Sequence, residues 1–399
     1  MQTPELPLEG IRVLDLTQIY NGPYATYLMA MAGADVIKIE PPGGEHLRKR
    51  GANSGAALPF AMLNGNKRSL SLNLKSDTGI SILKRLAQEA DVLVQNFAPG
   101  VMQRLGLSSQ VLHDLNPRLI LASGSGYGND GPYRDFPAMD LTVQAISGVM
   151  SVTGESGGAP MKAGPAVCDF FGGVHLYGAI VTALFERTRS GRGREVEVSM
   201  MEAVYASLSS NLGLYYGSDG QAPPRTGNRH GGLSLCPYNV YATSDGYIAI
   251  ICNNDQHWNA LLEAMDQTQW ASDPRMCTMK ARVEHMDFVD QWLNQWTRVR
   301  CKQDVFDVLV QHRVPCAPVR DISEVVADPH LRARGMLKDI EHPEFGPITI
   351  AASPIRFPEL PSKTPAASHR LGADNEEILC GLLGEEASTV TAWRSQGVI

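Results

Sequence analysis

The first forty residues place the strongest constraint on the fold. Residues 10–17 (GIRVLDLT) have the β-branched and leucine-rich composition of a strand, and residues 34–40 (ADVIKIE) predict a second strand. Between them, residues 24–32 (YATYLMAMA) suit a helix, with Gly33 at its C-terminal end. A strand, a helix and a strand within ~30 residues form a right-handed βαβ unit with parallel strands. The chain therefore begins with a parallel sheet.

The same alternation of strands and helices continues along the chain. Residues 76–90 predict an amphipathic helix, with Ile80, Leu83 and Leu86 on one face. Further strands are predicted at residues 91–95 and 118–122, and residues 191–199 predict a turn followed by a strand. Further helices are predicted from residue 99 and at residues 170–187 and 200–214. This order predicts an α/β fold whose large domain is built on a doubly wound parallel sheet.

The composition changes after residue 217. Residues 218–232, rich in Gly, Pro, Arg and Asn, predict a linker, and residues 237–251 predict a β-hairpin that turns at residues 244–246. Helices are predicted at residues 256–265, 282–297 and 302–312. Since single cores stop growing near ~250–300 residues, the chain needs more than one domain. We predict a large α/β domain over residues 1–217, a smaller α+β domain over residues 218–330, and a segment, 331–399, that returns to the large domain.

Composition and charge exclude several classes of protein. The 35 Lys and Arg against 42 Asp and Glu give a net charge of −7, which disfavours a nucleic-acid partner. No apolar run approaches the ~18 residues of a membrane span, and the first residues lack the features of a secretory signal. None of the seven cysteines lies within four residues of another, so CxxC metal and redox sites are excluded. We expect a cytoplasmic protein with no membrane partner.

Common cofactor motifs are missing. No GxGxxG follows the first strand, and residues 124–128 (GSGYG) are interpreted as a turn. The chain contains no Walker A, HExxH or GxSxG sequence. We therefore expect neither a nicotinamide or flavin cofactor nor a metal.

Polar and basic residues follow the predicted strands. In doubly wound sheets, ligands bind beyond the carboxyl ends of the strands, which places residues 18–21, 40–44 and 96–100 along one edge. The basic residues form either a solvated surface or a site for a phosphate-rich ligand such as coenzyme A. They are His46, Arg48, Lys49, Arg50, Lys67, Arg68, Lys75 and Arg104.

Asp169 is the most informative single residue. It lies among small and apolar residues at 164–173, where an ionised carboxylate is costly to bury without a partner. One interpretation is an N-cap for the helix at residues 170–187, and another is a covalent nucleophile; the two are compatible. The neighbouring glycines are expected to let a thioester approach closely. Arg225, Arg229 and His230 lie in a Gly-rich loop and are candidates for binding a carboxylate substrate.

Several stretches together resemble the class III CoA-transferases, the family of formyl-CoA transferase and carnitine-CoA transferase (CaiB/BaiF-like). The resemblance covers essentially the whole chain. It is carried by residues 8–17, 22–23, 33–41, 66–69, 96–100, 104–106, the surroundings of Asp169, and residues 200–204 and 237–246.

The resemblance implies both a chemistry and an assembly. Asp169 is expected to attack an acyl-CoA thioester, giving a mixed anhydride and then an aspartyl-CoA thioester, from which CoA passes to an acceptor carboxylate. The family fold is an interlocked homodimer, so a second copy is an expected partner besides the acyl-CoA and a small carboxylic acid. The positions that contact CoA fall on Tyr20, Asn21, Leu72, Asn73, Lys75, Asn96, Phe97, Ala98, Arg104, Asp140 and Met200.

The acceptor acid and two alternative functions remain open. Formyl-CoA transferase has a run of glycines over its site, whereas residues 252–256 here are CNNDQ, so we expect an acceptor other than oxalate. Together with Arg225, Arg229 and His230, this polar stretch fits a larger dicarboxylate such as succinate, itaconate, malate, citramalate or mesaconate. An α-methylacyl-CoA racemase is disfavoured because its histidine is replaced by Met139. A non-catalytic CoA-binding subunit is disfavoured by the presence of Asp169.

Overall fold

The computed structural model describes residues 6–49 and 58–399, so Arg50 of the predicted basic cluster lies outside the described residues. The chain divides into two compact units. The first comprises Met1–Val143, Pro165–Val204 and Asp328–Ile399, and the second comprises Gln144–Gly164 and Tyr205–Ala327. The early segment of the second unit, Gln144–Gly164, has no counterpart among the predicted domain boundaries.

Strands and helices alternate through much of the described chain. The strands are β1 (Arg12–Asp15), β2 (Asp35–Glu40), β3 (Arg68–Ser71), β4 (Val92–Gln95), β5 (Ile120–Ser125), β6 (Glu195–Ser199), β7 (Tyr238–Thr243), β8 (Gly246–Ile251), β9 (Cys316–Pro318), β10 (Leu337–His342) and β11 (Gly346–Ala351). The helices are α1 (Asn21–Met31), α2 (Leu58–Leu63), α3 (Asp77–Gln88), α4 (Val101–Arg104), α5 (Ser109–Leu115), α6 (Asp140–Ile146), α7 (Val149–Val152), α8 (Val167–Ser190), α9 (Met200–Tyr205), α10 (Ser209–Gly217), α11 (Asp255–Ala264), α12 (Met279–Glu284), α13 (Met286–Thr297), α14 (Lys302–Gln311), α15 (Ile322–Val326), α16 (Pro329–Ala333), α17 (Asn375–Leu383) and α18 (Ala387–Ser395).

The first unit is built on a six-stranded sheet in the order β3-β2-β1-β4-β5-β6. Every neighbouring pair in this sheet is parallel, which confirms the predicted parallel α/β fold. The order reverses between β1 and β4, so the loops after these two strands diverge there. In open α/β sheets such a switch point is where ligands bind.

Both faces of this sheet are buried. Successive residues of a strand point to opposite faces, so Leu14 and Leu93 pack on one side with helices α3, α5, α17 and α18. Val13 and Ile120 pack on the other side with α1 and α8. The near-continuous apolar composition of the strands follows from this double burial.

Helix α8 is long and apolar enough, by length and composition, to span a membrane. In the structure its Leu176, Ile180 and Leu184 lie in the core formed with α1 and the sheet. Packing against the sheet therefore accounts for the apolar residues on this face of the helix.

The second unit contains an antiparallel sheet in the order β7-β8-β9. Strands β7 and β8 pair from Tyr238 with Ile251 to Thr243 with Gly246, which confirms the predicted hairpin. The predicted helix at residues 282–297 is in fact two helices, α12 and α13. Buried Arg282 joins this region by donating to the carbonyl oxygens of Cys236 and Met276, both at 2.9 Å.

A buried ion pair in the first unit joins Lys67, which directly precedes β3, to Asp15, the last residue of β1. The Lys67 Nζ donates to Asp15 Oδ2 at 3.0 Å and to the Pro23 carbonyl oxygen at 3.0 Å. It also donates to Thr26 Oγ1 at 2.8 Å and to Asn64 Oδ1 at 2.9 Å. Lys67 is only 2% exposed, so the interpretation of this residue as a surface or phosphate-binding lysine is wrong. An ammonium in the core must be paired, and this one is paired within the protein.

Replacing Lys67 is expected to destabilise the fold strongly. Lys67→Ala leaves the Asp15 carboxylate without its direct partner inside the core, which costs about 3 kcal/mol of unfolding free energy. Urea denaturation at pH 7 measures the loss. The matched control is Lys280→Ala, because the Lys280 side chain is 86% exposed in a surface pair with Glu284; it should cost less than about 0.5 kcal/mol. Equal, small losses for the two variants would contradict the structural importance of Lys67.

Candidate active site

The site lies at the switch point of the parallel sheet. A cavity of about 990 Å³ opens there, lined by residues that follow β1, β4 and β5. The loops after β1 and β4 are held together by the side chain of Asn96. Its Oδ1 accepts from the Gln18 N–H and its Nδ2 donates to the Gln18 carbonyl oxygen, both at 2.8 Å. Asn96, predicted as a CoA contact, therefore also shapes the mouth of the cavity.

Asp169 lines this cavity from the first turn of α8 and is 7% exposed. The N-cap interpretation of Asp169 is wrong, because the helix begins at Val167, with Ala166 as its N-cap residue. The capping carboxylate comes from Asp140, whose Oδ1 accepts from the N–H groups of Cys168 at 2.9 Å and Asp169 at 3.2 Å. These N–H groups have no partner within a helix, so an external acceptor stabilises them. The Asp169 carboxylate is thereby left for other contacts.

The start of α1 approaches α8 closely beside Asp169. The backbone N–H of Asn21 donates to the Asp169 carboxylate. A Cβ at Gly172 would lie 2.2 Å from Asn21 Nδ2, and a Cβ at Gly173 would lie 2.6 Å from the Asn21 carbonyl oxygen. We expected these glycines to admit a thioester. Instead, the space that they leave is occupied by Asn21.

The surroundings of Asp169 bring the pKa of its carboxyl close to neutral pH. The pKa of Asp169 is raised to about 7, chiefly by burial and also by the negative charge of Asp140, while the Asn21 N–H acts in the opposite direction. No Lys or Arg of the described ranges forms an ion pair with Asp169. A carboxylate that is ionised near neutrality and poorly solvated is suited to act as a nucleophile.

The cavity brings together about half of the predicted CoA contacts. Its lining includes Asn21, Asn96, Phe97, Ala98, Asp140 and Met200. Tyr20 lies nearby, with its ring stacked on Phe170 at 6.2 Å between centroids. The other four do not line the cavity: Leu72 is buried in the core, the Asn73 side chain bonds to Gly397, and Lys75 and Arg104 are exposed. A CoA contact by any of these residues stays a prediction.

The basic residues divide into structural and cavity-lining groups. Arg48 binds Glu40 through two nitrogens, and Arg68 pairs with Asp35 at 2.5 Å. His46 and Lys49 line the cavity, as does Arg134, which sequence reasoning missed. Arg134 stands in an exposed loop without a motif, so only the folded chain could identify it. Three basic side chains thus border the cavity that contains Asp169.

The candidates for binding a carboxylate belong to the second unit, and each has partners there. Arg229 forms ion pairs with Asp287 and Asp290, both at 2.7 Å, so its charge is balanced. His230 lies 3.1 Å from Ser234 Oγ. Arg225 donates to the carbonyl oxygens of Ser151 at 2.9 Å and Gly158 at 2.6 Å, and no carboxylate in the described residues pairs with it. Arg225 therefore keeps its full positive charge.

Comparison with known proteins identifies the family. The model of CoA-transferase family III matches residues 8–375. The chain belongs to CoA-transferase family III. This confirms the resemblance found in the sequence and makes the protein an enzyme of the class III CoA-transferases.

Individual relatives are similar over nearly their full length. The formyl-CoA:oxalate CoA-transferase of Streptomyces avermitilis is 36% identical, with 98% of this chain and 99% of the relative covered. The succinate–glutarate CoA-transferase of Agrobacterium fabrum is also 36% identical, with 94% and 96% covered. Among solved structures, a CaiB/BaiF family protein from Brucella suis matches with a TM-score of 0.83 and 32% identity, covering 95% of this chain and 100% of that one.

The unpaired burial of Asp169 predicts a pH-dependent cost in stability. Since the pKa of Asp169 rises from 3.8 to about 7 on folding, the folded protein binds this proton more tightly. The stabilisation of the folded state by this bound proton is complete below about pH 4 and is lost as the pH rises through 7. Asp169→Asn should therefore raise the melting temperature by a few degrees, about 2–5 °C, at pH 8 and by much less at pH 4. Scanning calorimetry at both pH values measures this; an equal change at both would argue against the raised pKa.

Proposed function

We propose that the protein transfers CoA from an acyl-CoA thioester to a free carboxylic acid, with Asp169 as the nucleophile. One observation carries the proposal. The Asp169 carboxylate is buried at the start of α8 without a cationic partner in the described residues, yet it lines a cavity of about 990 Å³ at the switch point of the sheet. Membership of the CoA-transferase family supplies the substrate class, and this carboxylate supplies the chemistry.

The proposed reaction consists of acyl transfers in sequence. A carboxylate oxygen of Asp169 attacks the thioester carbon and CoA leaves as a thiolate, which gives a mixed anhydride. The thiolate then attacks the Asp169 carbonyl carbon of the anhydride, releasing the donor acid and leaving an aspartyl-CoA thioester. The acceptor carboxylate attacks the carbonyl carbon of that thioester and expels the CoA thiolate, which gives a second mixed anhydride. The thiolate then attacks the acceptor's carbonyl carbon in this anhydride, which completes the new acyl-CoA and frees the Asp169 carboxylate. Each attack exchanges one anion for another, so no proton transfer is required.

The burial of Asp169 supports this sequence in two ways. Anhydrides and thioesters hydrolyse in water, so a carboxylate only 7% exposed protects its own intermediates. A carboxylate that has lost much of its hydration is also raised in energy relative to the intermediates that it forms. The same desolvation is what raises its pKa.

The test of this mechanism is a covalent adduct on Asp169. Incubation with succinyl-CoA should give an enzyme species that hydroxylamine cleaves and that mass spectrometry assigns to Asp169. Asp169→Ala should lose the adduct and at least about 10³-fold in turnover while still binding CoA. The matched control is Asp219→Ala, a change in the exposed turn after α10, which should keep both. Normal turnover by Asp169→Ala, or α-proton exchange into D₂O without CoA exchange, would refute the proposal; the latter would indicate the racemase.

The acceptor is proposed to be a dicarboxylic acid. Relatives at the same 36% identity are named for oxalate and for succinate and glutarate, all of them dicarboxylic acids. Because the oxalate enzyme is as similar as the other, the expectation that oxalate is excluded has no support from these relatives. The proposed substrate class is therefore a dicarboxylate, with oxalate included among the acids to be compared.

Arg225 is the proposed partner of the second carboxylate, since its guanidinium keeps an unbalanced charge. Arg225→Gln should raise the KM for succinate about tenfold or more and leave the KM for the acyl-CoA within about twofold. Steady-state kinetics with succinate and with propionate as acceptors separates the effects, because a monocarboxylate lacks the group in question. A parallel rise for both acids would instead indicate a structural effect of the substitution.

The remaining expectations are kept as proposals. A homodimer is supported by the exposed apolar residues of α8, where Phe171, Val174 and Phe185 are 42%, 47% and 66% exposed. Coenzyme A is proposed to enter only as a substrate, without a metal or other cofactor. A cytoplasmic location is proposed on the cysteine pattern, and all seven thiols, which lie in the described ranges, are free.

A further inference from the structure

The side chain of Asn21 is an exception among the buried polar groups. It is 4% exposed and lines the cavity of Asp169. Within the described part of the chain, neither its Oδ1 nor its Nδ2 has a hydrogen-bond partner. Leaving a buried polar group unsatisfied costs about 1–3 kcal/mol, so such a group needs an explanation.

Two glycines provide the space for this amide. A Cβ at Gly124, in β5, would lie 2.3 Å from Asn21 Oδ1, and a Cβ at Gly172, in α8, would lie 2.2 Å from Nδ2. Gly172 stands one helical turn after Asp169, and the Asn21 backbone N–H is bonded to the Asp169 carboxylate. An unpaired N–H donor therefore stands beside the carboxylate that the proposed function uses as a nucleophile.

We propose that Asn21 Nδ2 donates a hydrogen bond to the carbonyl oxygen of the acyl-CoA thioester while Asp169 attacks it. This inference rests on the proposed function. As the Asp169 oxygen bonds to the thioester carbon, the electron pair of the C=O bond moves to the carbonyl oxygen, and Asn21 binds that oxyanion. When the C=O bond re-forms, the C–S bond breaks and its electron pair leaves on the thiolate.

A neutral amide suits this position better than a cation. A Lys or Arg would pair with Asp169 in the resting enzyme and lower its reactivity, whereas a carboxamide adds no charge. Because Nδ2 has no partner to give up in the described structure, its bond to the oxyanion replaces no other bond. In a buried site such a donor is worth about 10²–10³ in rate.

The test is the effect of Asn21→Ala on the first half-reaction. The variant keeps the backbone N–H that binds Asp169 and removes only the amide. With succinyl-CoA as the probe, the single-turnover rate of succinate release should fall about 10²-fold, while the KM for succinyl-CoA stays within about threefold. The melting temperature should not fall, because the amide has no hydrogen bond to lose in the described structure, and the pH dependence of Asp169 should be unchanged; both results distinguish this loss from a structural defect.

A glycine pair provides a second measurement. Gly172→Ala places a methyl group against Nδ2 and should slow succinate release to a similar extent. Gly381→Ala is the matched control, because a Cβ at this helical glycine of the same unit meets nothing within 4 Å; it should react at the normal rate.

Two results would overturn the assignment. A higher KM for succinyl-CoA with an unchanged rate of succinate release would place Asn21 on the pantetheine arm instead of the reacting carbonyl. An unchanged rate and KM would remove any contact with the thioester. If Asp169→Ala is inactive in the same assay, either result refutes only the role assigned to Asn21. If Asp169→Ala is active, the proposed function itself is refuted.

Discussion

The geometry of the site depends on buried charged side chains that contact the loop between β1 and α1. Asp15 ends β1 with no exposure to solvent, and Lys67 binds both its carboxylate and the carbonyl oxygen of Pro23, in the first turn of α1 at the far side of the loop. Lys38 donates to the carbonyl oxygen of Thr17 on the near side. Because buried charges are costly unless every partner is in place, this network holds the loop in one conformation. The loop in turn directs the backbone N–H of Asn21 to Asp169.

Two buried aspartates in the same unit show how surroundings decide chemistry. Burial alone raises the pKa of a carboxyl, but around Asp15 the charges of Lys38 and Lys67 outweigh it and hold the pKa well below its usual range. Around Asp169 burial is joined by the charge of Asp140, and the pKa rises to about 7. The first carboxylate is permanently ionised and paired, which suits a structural part. The second changes its charge near neutrality and keeps its oxygens available, which suits a reactant.

The sequence predicted the sheet because its signal is local. The βαβ pattern of the first forty residues leads to parallel pairing of β1 with β2, and the hairpin at residues 237–251 follows from alternation around a short turn. Asp169 could be selected as well, since a carboxylate among small and apolar residues is unusual. These inferences need only neighbouring residues and general packing rules.

The failed inferences about single residues involve partners distant in sequence. Lys67 looks like a surface lysine until the fold brings Asp15 to it, 52 residues away. Asp169 looks like a helix cap until Asp140 is found to cap that helix. Gly172 looks like room for substrate until the amide of Asn21 is found there. In each case the group that explains the residue comes from another element.

The acceptor acid must be selected by residues other than those that surround Asp169. The chain is equally similar to an oxalate enzyme and to a succinate–glutarate enzyme, so overall sequence identity does not indicate which acid it uses. The groups around Asp169 are a backbone N–H, a helix start capped by Asp140 and a neutral amide, and none of them distinguishes one acyl chain from another. They contact Asp169 itself or the carbonyl group that every thioester has. Discrimination between acids of different length therefore requires charges placed further along the acyl chain, where a second carboxylate would lie.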